Sequence, residues 1–184
     1  MLQLQNKYRK EVIPVMMKEF GYRSTMAVPK IEKVVINTGF GRLVVGKTND
    51  EQKKIQEAIL NDLAQISGQR PILTRAKKSI SAFKIRKGMA LGAQVTLRGK
   101  RMLDFLERLV YIALPRSRDF QGIDQKSFDK KGNLTIAIKE HITFPEVSPE
   151  KVKQIFGFEV TTVTTAKSRE GGIRLLKLMG FPIK

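Results

Sequence analysis

The 184-residue chain has no cysteine, no tryptophan and a single histidine. Without thiols there is no disulfide framework and no thiolate metal site. His141, standing alone, has no histidine partners with which to build a metal site. No apolar run approaches the roughly 20 residues of a membrane helix. The opening MLQLQNKYRK has no apolar stretch behind its charges, so no secretory leader is expected either. Carboxylates are present, but none lies in a recognisable acid–base context. The expectation is a soluble, cytoplasmic protein without metal or cofactor, its 41% hydrophobic residues sufficient for one core.

Acid is the other thing in short supply. Lys plus Arg number 35 against 17 Asp plus Glu, a formal charge of +18. A folded domain so basic repels itself unless it meets a polyanion. The imbalance is also local. Between Asp62 and Asp104 there is no acidic residue, yet Arg70, Arg75, Lys77, Lys78, Lys84, Arg86, Lys87, Arg98, Lys100 and Arg101 all fall there. A solvated helix face would alternate signs; this stretch does not.

Periodicity places the elements. Residues 6–20 repeat Tyr8, Val12, Met16 and Phe20 at helical spacing before Gly21, with Pro14 inside to delay or kink the helix. Asn49–Ser67 is the clearest helix, capped by Thr48 or Asn49 and stopped by Gly68. Residues 100–114, ending at Pro115, with 149–156 and 169–179, complete the expected helices. Strands are expected at 31–37, 72–74, 82–85, 93–98, 134–138 and 158–165, with a polar RAKKS turn joining the second and third. This order predicts one α+β domain over residues 1–184, a mainly antiparallel sheet with helices packed on one face, and an extended basic loop at about 74–87. On strand-like stretches Asn37, and Gln94, Thr96 and Arg98, share polar faces suited to RNA riboses and base edges, with Arg and Lys free for phosphates.

One eight-residue word points elsewhere. GRLVVGKT, Gly41 through Thr48, matches the phosphate-loop pattern letter for letter, between a strand-like and a helix-like run. Its Arg-Leu-Val-Val interior disfavours the tight backbone nest, because β-branched residues are stiff. The candidate metal strand LTIAI runs into Lys139 rather than a carboxylate. Residues 41–48 are therefore expected to form a surface extension, leaving a P-loop NTPase as the weakest alternative and a general basic RNA-binding module as the nearer one.

The stretch LAQISGQRPILTRAKKS, residues 63–79, resembles the signature of the ribosomal protein L5 family. The resemblance runs on from EKVVINTGFG through FKIRKG, VTLRGKRM, ALPRSRDFQG, FPE and VTTAKS to GFPIK, nearly the whole chain. It implies a non-enzymatic structural constituent of the large ribosomal subunit that binds 5S rRNA in the central protuberance. It also implies neighbours there, namely 23S rRNA and other central-protuberance proteins, together with peptidyl-site tRNA and a bridge to small-subunit protein S13. The positions matching the family's 5S contacts are Asn37, Gln69 and Thr96. The family's tRNA-facing loop corresponds to about residues 74–86, carrying Arg75, Lys77, Lys78, Ser79, Lys84 and Arg86. The chain departs from the family pattern in GFGRLVVGKTND, which is longer and lacks the usual Glu, and in FDKKGN.

Overall fold

Proline governs the first helix. In the computed structural model, which describes residues 3–118, 120–148, 150 and 154–184, the chain enters as α1 (Gln3–Lys7), widens into a π turn at Tyr8–Val12 and continues as α2 (Ile13–Phe20). Pro14 has no N–H to give to the preceding turn, and its ring would strike the carbonyl four residues back. The π turn removes that conflict, with Ile13 N–H reaching Tyr8 O. The helix thus starts earlier than residue 6 and does not break at Pro14. The same device recurs near the expected stop of the helix over 100–114. After α5 (Gly99–Arg108), a π turn at Leu109–Ala113 sends the Leu114 N–H to Leu109 O, and α6 (Leu114–Arg116) carries Pro115 inside it.

Five strands form one antiparallel sheet in the order β2-β3-β1-β5-β4. They are β1 (Ile31–Gly39), β2 (Ile72–Arg75), β3 (Ala90–Leu97), β4 (Leu134–Ile138) and β5 (Phe158–Thr164). Period-two alternation puts Val34 and Ile36 of β1, Val95 and Leu97 of β3, Leu134 and Ile138 of β4 and Val160 of β5 on one buried face. Under that face lie α5 and α4 (Asn49–Ser67), the latter presenting Ile59, Leu63 and Ile66. Phe105 and Phe144 stack at 5.8 Å between ring centres, and Phe158 of β5 tilts against Phe144. Each such side chain, fully buried, contributes about 1.5–3 kcal/mol. Among the described residues, the opposite face carries no helix.

The last helix, α7 (Arg169–Leu178), is capped by the Ser168 hydroxyl, which accepts from Gly171 N–H. It seats on the β4–β5 end of the sheet by direct backbone approach. A Cβ at Gly172 would stand 2.3 Å from Gly132 O, so this position has room only for glycine. Gly132 belongs to the FDKKGN turn, where Asp129 accepts from the backbone of Lys131 and Asn133, and Gly132 O accepts from the Thr164 hydroxyl.

Two expectations need correcting. Residues 82–85 form no strand: Ser81–Phe83 is a single 3₁₀ turn and Lys84 is left-handed, with φ +52°. A strand there would have exposed its edge to water with little to bury, since Phe83 is 65% exposed. Half of the helix expected over 149–156 falls outside the described residues, and Gln154 through Phe156 are not helical.

Candidate nucleic-acid interface

The helix-free face of the sheet collects side chains from every strand. Register sets Asn37 opposite Gln94 on β3 and opposite Glu159 on β5. Gln94 is in turn opposite Ile72, and Glu159 opposite Ala137. One row thus crosses the whole sheet: Ile72, Gln94, Asn37, Glu159, Ala137. The next row holds Thr96, Val35, Thr161 and Thr135, with the last two hydroxyls 3.2 Å apart. All of these side chains are exposed or half-buried. Directly opposed residues in such a sheet have Cβ atoms about 4.5–5.5 Å apart, so each row sets three closely spaced polar side chains, interspersed with Ile72, Ala137 or Val35, on a rigid floor. None of the side chains in these rows is aromatic, so bases cannot stack there as they do on aromatic platforms.

The sequence-expected residues reach this face unequally. Asn37, Gln94 and Thr96 share it. Gln69 comes to it from the end of α4, its side-chain amide donating to Thr96 O at 3.3 Å where β2 has not yet begun. Part of its hydrogen-bonding capacity is therefore already structural. Arg98 lies one residue beyond β3, exposed, at the N-terminal cap of α5. Glu159, Thr161 and Thr135 are additions that sequence reasoning missed. Their alternation within strand-like runs is visible, but nothing local says which strand they neighbour.

The basic segment is a separate structure. Between β2 and β3 the chain leaves the sheet and closes on itself. Ala76 N–H donates to Met89 O and Gly88 N–H to Ala76 O, while Ile80 and Ile85 exchange N–H···O bonds. Ser79 Oγ accepts from Lys87 N–H at 2.9 Å, and Arg75 Nη1 donates to Gly88 O at 3.0 Å. Those two side chains brace the neck of the loop. Lys77, Lys78, Lys84 and Arg86 are exposed, and no hydrogen bond holds their side chains among the described residues. Ile80 and Phe83 sit at the tip, 44% and 65% exposed.

The phosphate-loop word has a different fate from that of a cradle. Residues 41–44 form a short helical turn, α3 (Gly41–Val44), and Val44 is fully buried, so the segment is anchored rather than a free extension. The N–H groups of Leu43, Val45 and Lys47 bond to the carbonyls of Phe40, Gly41 and Val44 instead of converging on a ligand. Thr48 donates both its N–H (3.0 Å) and its hydroxyl (2.9 Å) to Glu51, capping α4. Those same bonds hold the Glu51 carboxyl below its ordinary range. The residue that would bind metal in a nucleotide site is here a helix cap.

His141 is fully buried rather than superficial. Its Nδ1 accepts from Phe156 N–H, its ring stacks on Phe156 at 4.0 Å, and its Nε2 faces Asp62 Oδ2 at 3.5 Å. Burial lowers the imidazole pKa, partly offset by the Asp62 charge, and burial likewise raises Asp62. This is a neutral core histidine. Among the described residues no group of three or more metal-ligating side chains occurs, and no helix is long and apolar enough to cross a membrane.

Comparison with known proteins identifies the family. A family model described as "Ribosomal protein L5" matches residues 24–86, and a second model, for the C-terminus of the same ribosomal family, matches residues 90–183. The chain is 50% identical over 179 residues to the large ribosomal subunit protein uL5 of Halothermothrix orenii, covering 97% of each. It is 51% identical to that of Desulforamulus reducens over 99% of this chain and 97% of the other. With that of Herpetosiphon aurantiacus the identity is 50%, over 100% of this chain and 99% of the other. The chain belongs to the ribosomal protein L5 family.

Proposed function

We propose that the chain is a non-enzymatic, cytoplasmic structural constituent of the large ribosomal subunit that holds 5S rRNA against the helix-free sheet face. In the central protuberance it would also meet 23S rRNA and neighbouring proteins. The basic loop at about 74–87 reaches peptidyl-site tRNA, and the chain contributes a bridge to small-subunit protein S13. The observation that carries the 5S reading is the register that brings Asn37, Gln94 and Thr96 to one exposed face, with Gln69 tied to its edge. Short fixed polar groups read riboses and base edges, while the neighbouring cations hold phosphates.

The test is 5S rRNA affinity of the purified chain. Asn37→Ala and Thr96→Ala are each expected to weaken binding by about 1–3 kcal/mol, as for hydrogen bonds whose partners become buried. Neither change touches the core beneath, so melting temperature should hold. Full affinity in both variants would return this face to the role of a solvated sheet surface.

A further inference from the structure

Glu159 is out of place on a surface meant for a polyanion. It is exposed on the RNA-facing side, directly opposite Asn37, and among the described residues no Lys or Arg forms an ion pair with it. A carboxylate there repels phosphate and accepts hydrogen bonds without donating any. It also lines a hollow. Asn37, Gly39, Ala137, Gly157 and Glu159 bound a shallow, open depression of about 360 Å³. Small residues make the room, and Thr38 Oγ1, donating to Gly157 O at 2.7 Å, holds the two strands together behind it.

We infer that this hollow is a single-base pocket for an unpaired guanine, read by Glu159 and Asn37. The inference rests on the proposed docking of RNA on this face. Guanine is the base whose Watson–Crick edge presents two adjacent N–H donors, at N1 and N2, beside an acceptor at O6. The Glu159 carboxylate offers two acceptors for the donors, and the Asn37 amide offers a donor for O6. Adenine and cytosine would set a ring-nitrogen acceptor against the carboxylate, and uracil brings only one donor. Because these rows have no aromatic side chain to stack bases, recognition through a base edge is the mode the surface supports. Glu159 thus determines specificity, while phosphate contacts elsewhere supply sequence-independent affinity.

Kethoxal, which attacks guanine at N1 and N2, reads this contact on 5S rRNA bound to the full chain. The chain should shield one unpaired guanine. Glu159→Gln should re-expose that guanine and weaken binding about ten- to a hundredfold, while the hydroxyl-radical footprint on the backbone persists at saturating protein. Gly39→Val, with its melting temperature measured alongside, offers a second variant: a Cβ at Gly39 meets nothing within 4 Å, so the added side chain starts in the open space of the hollow. It too should re-expose the guanine. If Glu159→Gln binds as well or better with an unchanged kethoxal pattern, or no guanine is shielded at all, the pocket is refuted even where Asn37→Ala and Thr96→Ala weaken binding. If those two variants have no effect on affinity, the docking face itself is wrong and the pocket falls with it.

Discussion

The sheet face and the basic loop are adjacent in sequence yet built on opposite principles. The face is made mostly of uncharged side chains, with Glu159 and, by alternation along β1, Lys33 as its charges, each fixed by antiparallel register to a floor with a continuous core beneath it. The loop is made of long cations with no acid among them, held by a few hydrogen bonds of its own and exposing Ile80 and Phe83 at its tip. A rigid surface with sparse charge suits discrimination; a protruding cluster of cations suits attraction without preference. The difference teaches that formal charge and rigidly fixed hydrogen-bonding side chains occupy separate parts of this fold.

The largest effect should fall on the fold that carries the face. Gly172→Ala pushes a methyl into Gly132, and because the contact is backbone to backbone neither side can rotate away. A loss of about 3 kcal/mol in denaturant unfolding is expected, at the upper end of overpacking effects. An unaltered midpoint would mean that α7 shifts freely and that the floor is less rigid than described.

Next in size is the division of labour. Replacing Arg75, Lys77 and Lys78 with alanine should leave 5S affinity nearly intact and weaken tRNA retention on assembled ribosomes. Each phosphate contact contributes roughly 0.7–0.9 to the slope of log affinity against log salt. The 5S slope should therefore stay unchanged in the triple variant. A fall of about two units, with tRNA retention unaffected, would make the loop part of the 5S site and erase the contrast.

Gln69→Ala sharpens the boundary of the face. Its bond to Thr96 O is a single neutral one, so a stability loss of about 1 kcal/mol is expected, with a loss of 5S affinity that Gln69→Glu does not restore, since a carboxylate cannot donate to the Thr96 carbonyl. Equal behaviour of the two replacements in affinity but not in stability would separate a direct RNA contact from support of β3.

The smallest effect lies off both regions. The folded imidazole of His141 has a pKa below its ordinary 6.5, so below that pH the unfolded chain binds the proton more readily and stability falls with falling pH. Above about 6.5 this contribution is fully present and flat. Asp62, raised by burial, acts in the opposite sense at more acid pH. Thermal melts should decline from about pH 7 towards 5.5 in the parent chain and decline less in His141→Gln, which has no proton to take up on unfolding. A parallel decline in both would remove His141 as the source.

Much of this is readable locally. Asn49–Ser67 ends where its Thr48 cap and Gly68 stop predict, because capping and periodicity involve only near neighbours. LTIAI forms β4 with the expected limits. Pro14 and Pro115 mislead for one reason: an isolated proline breaks a helix, but a preceding π turn accommodates it, and the surrounding core rewards the continuation with buried Val12, Met16, Ala113 and Leu114. GRLVVGKT misleads in the other direction, since a matching pattern says nothing about where its N–H groups point.

What the amino-acid order determined by itself was chemistry and period: an excess of cations, an acid-free stretch, strands polar on one side, and the eligibility of Asn37 and Thr96 for RNA. Which side chains became neighbours was decided only by the tertiary structure. Thr38 and Gly157 lie 119 residues apart in the chain and share a hydrogen bond, so Asn37 meets Glu159 only because β1 and β5 pair in one register. That register is selected by burying Val34, Ile36 and Val160 together, a hydrophobic requirement of the face opposite the helix-free one.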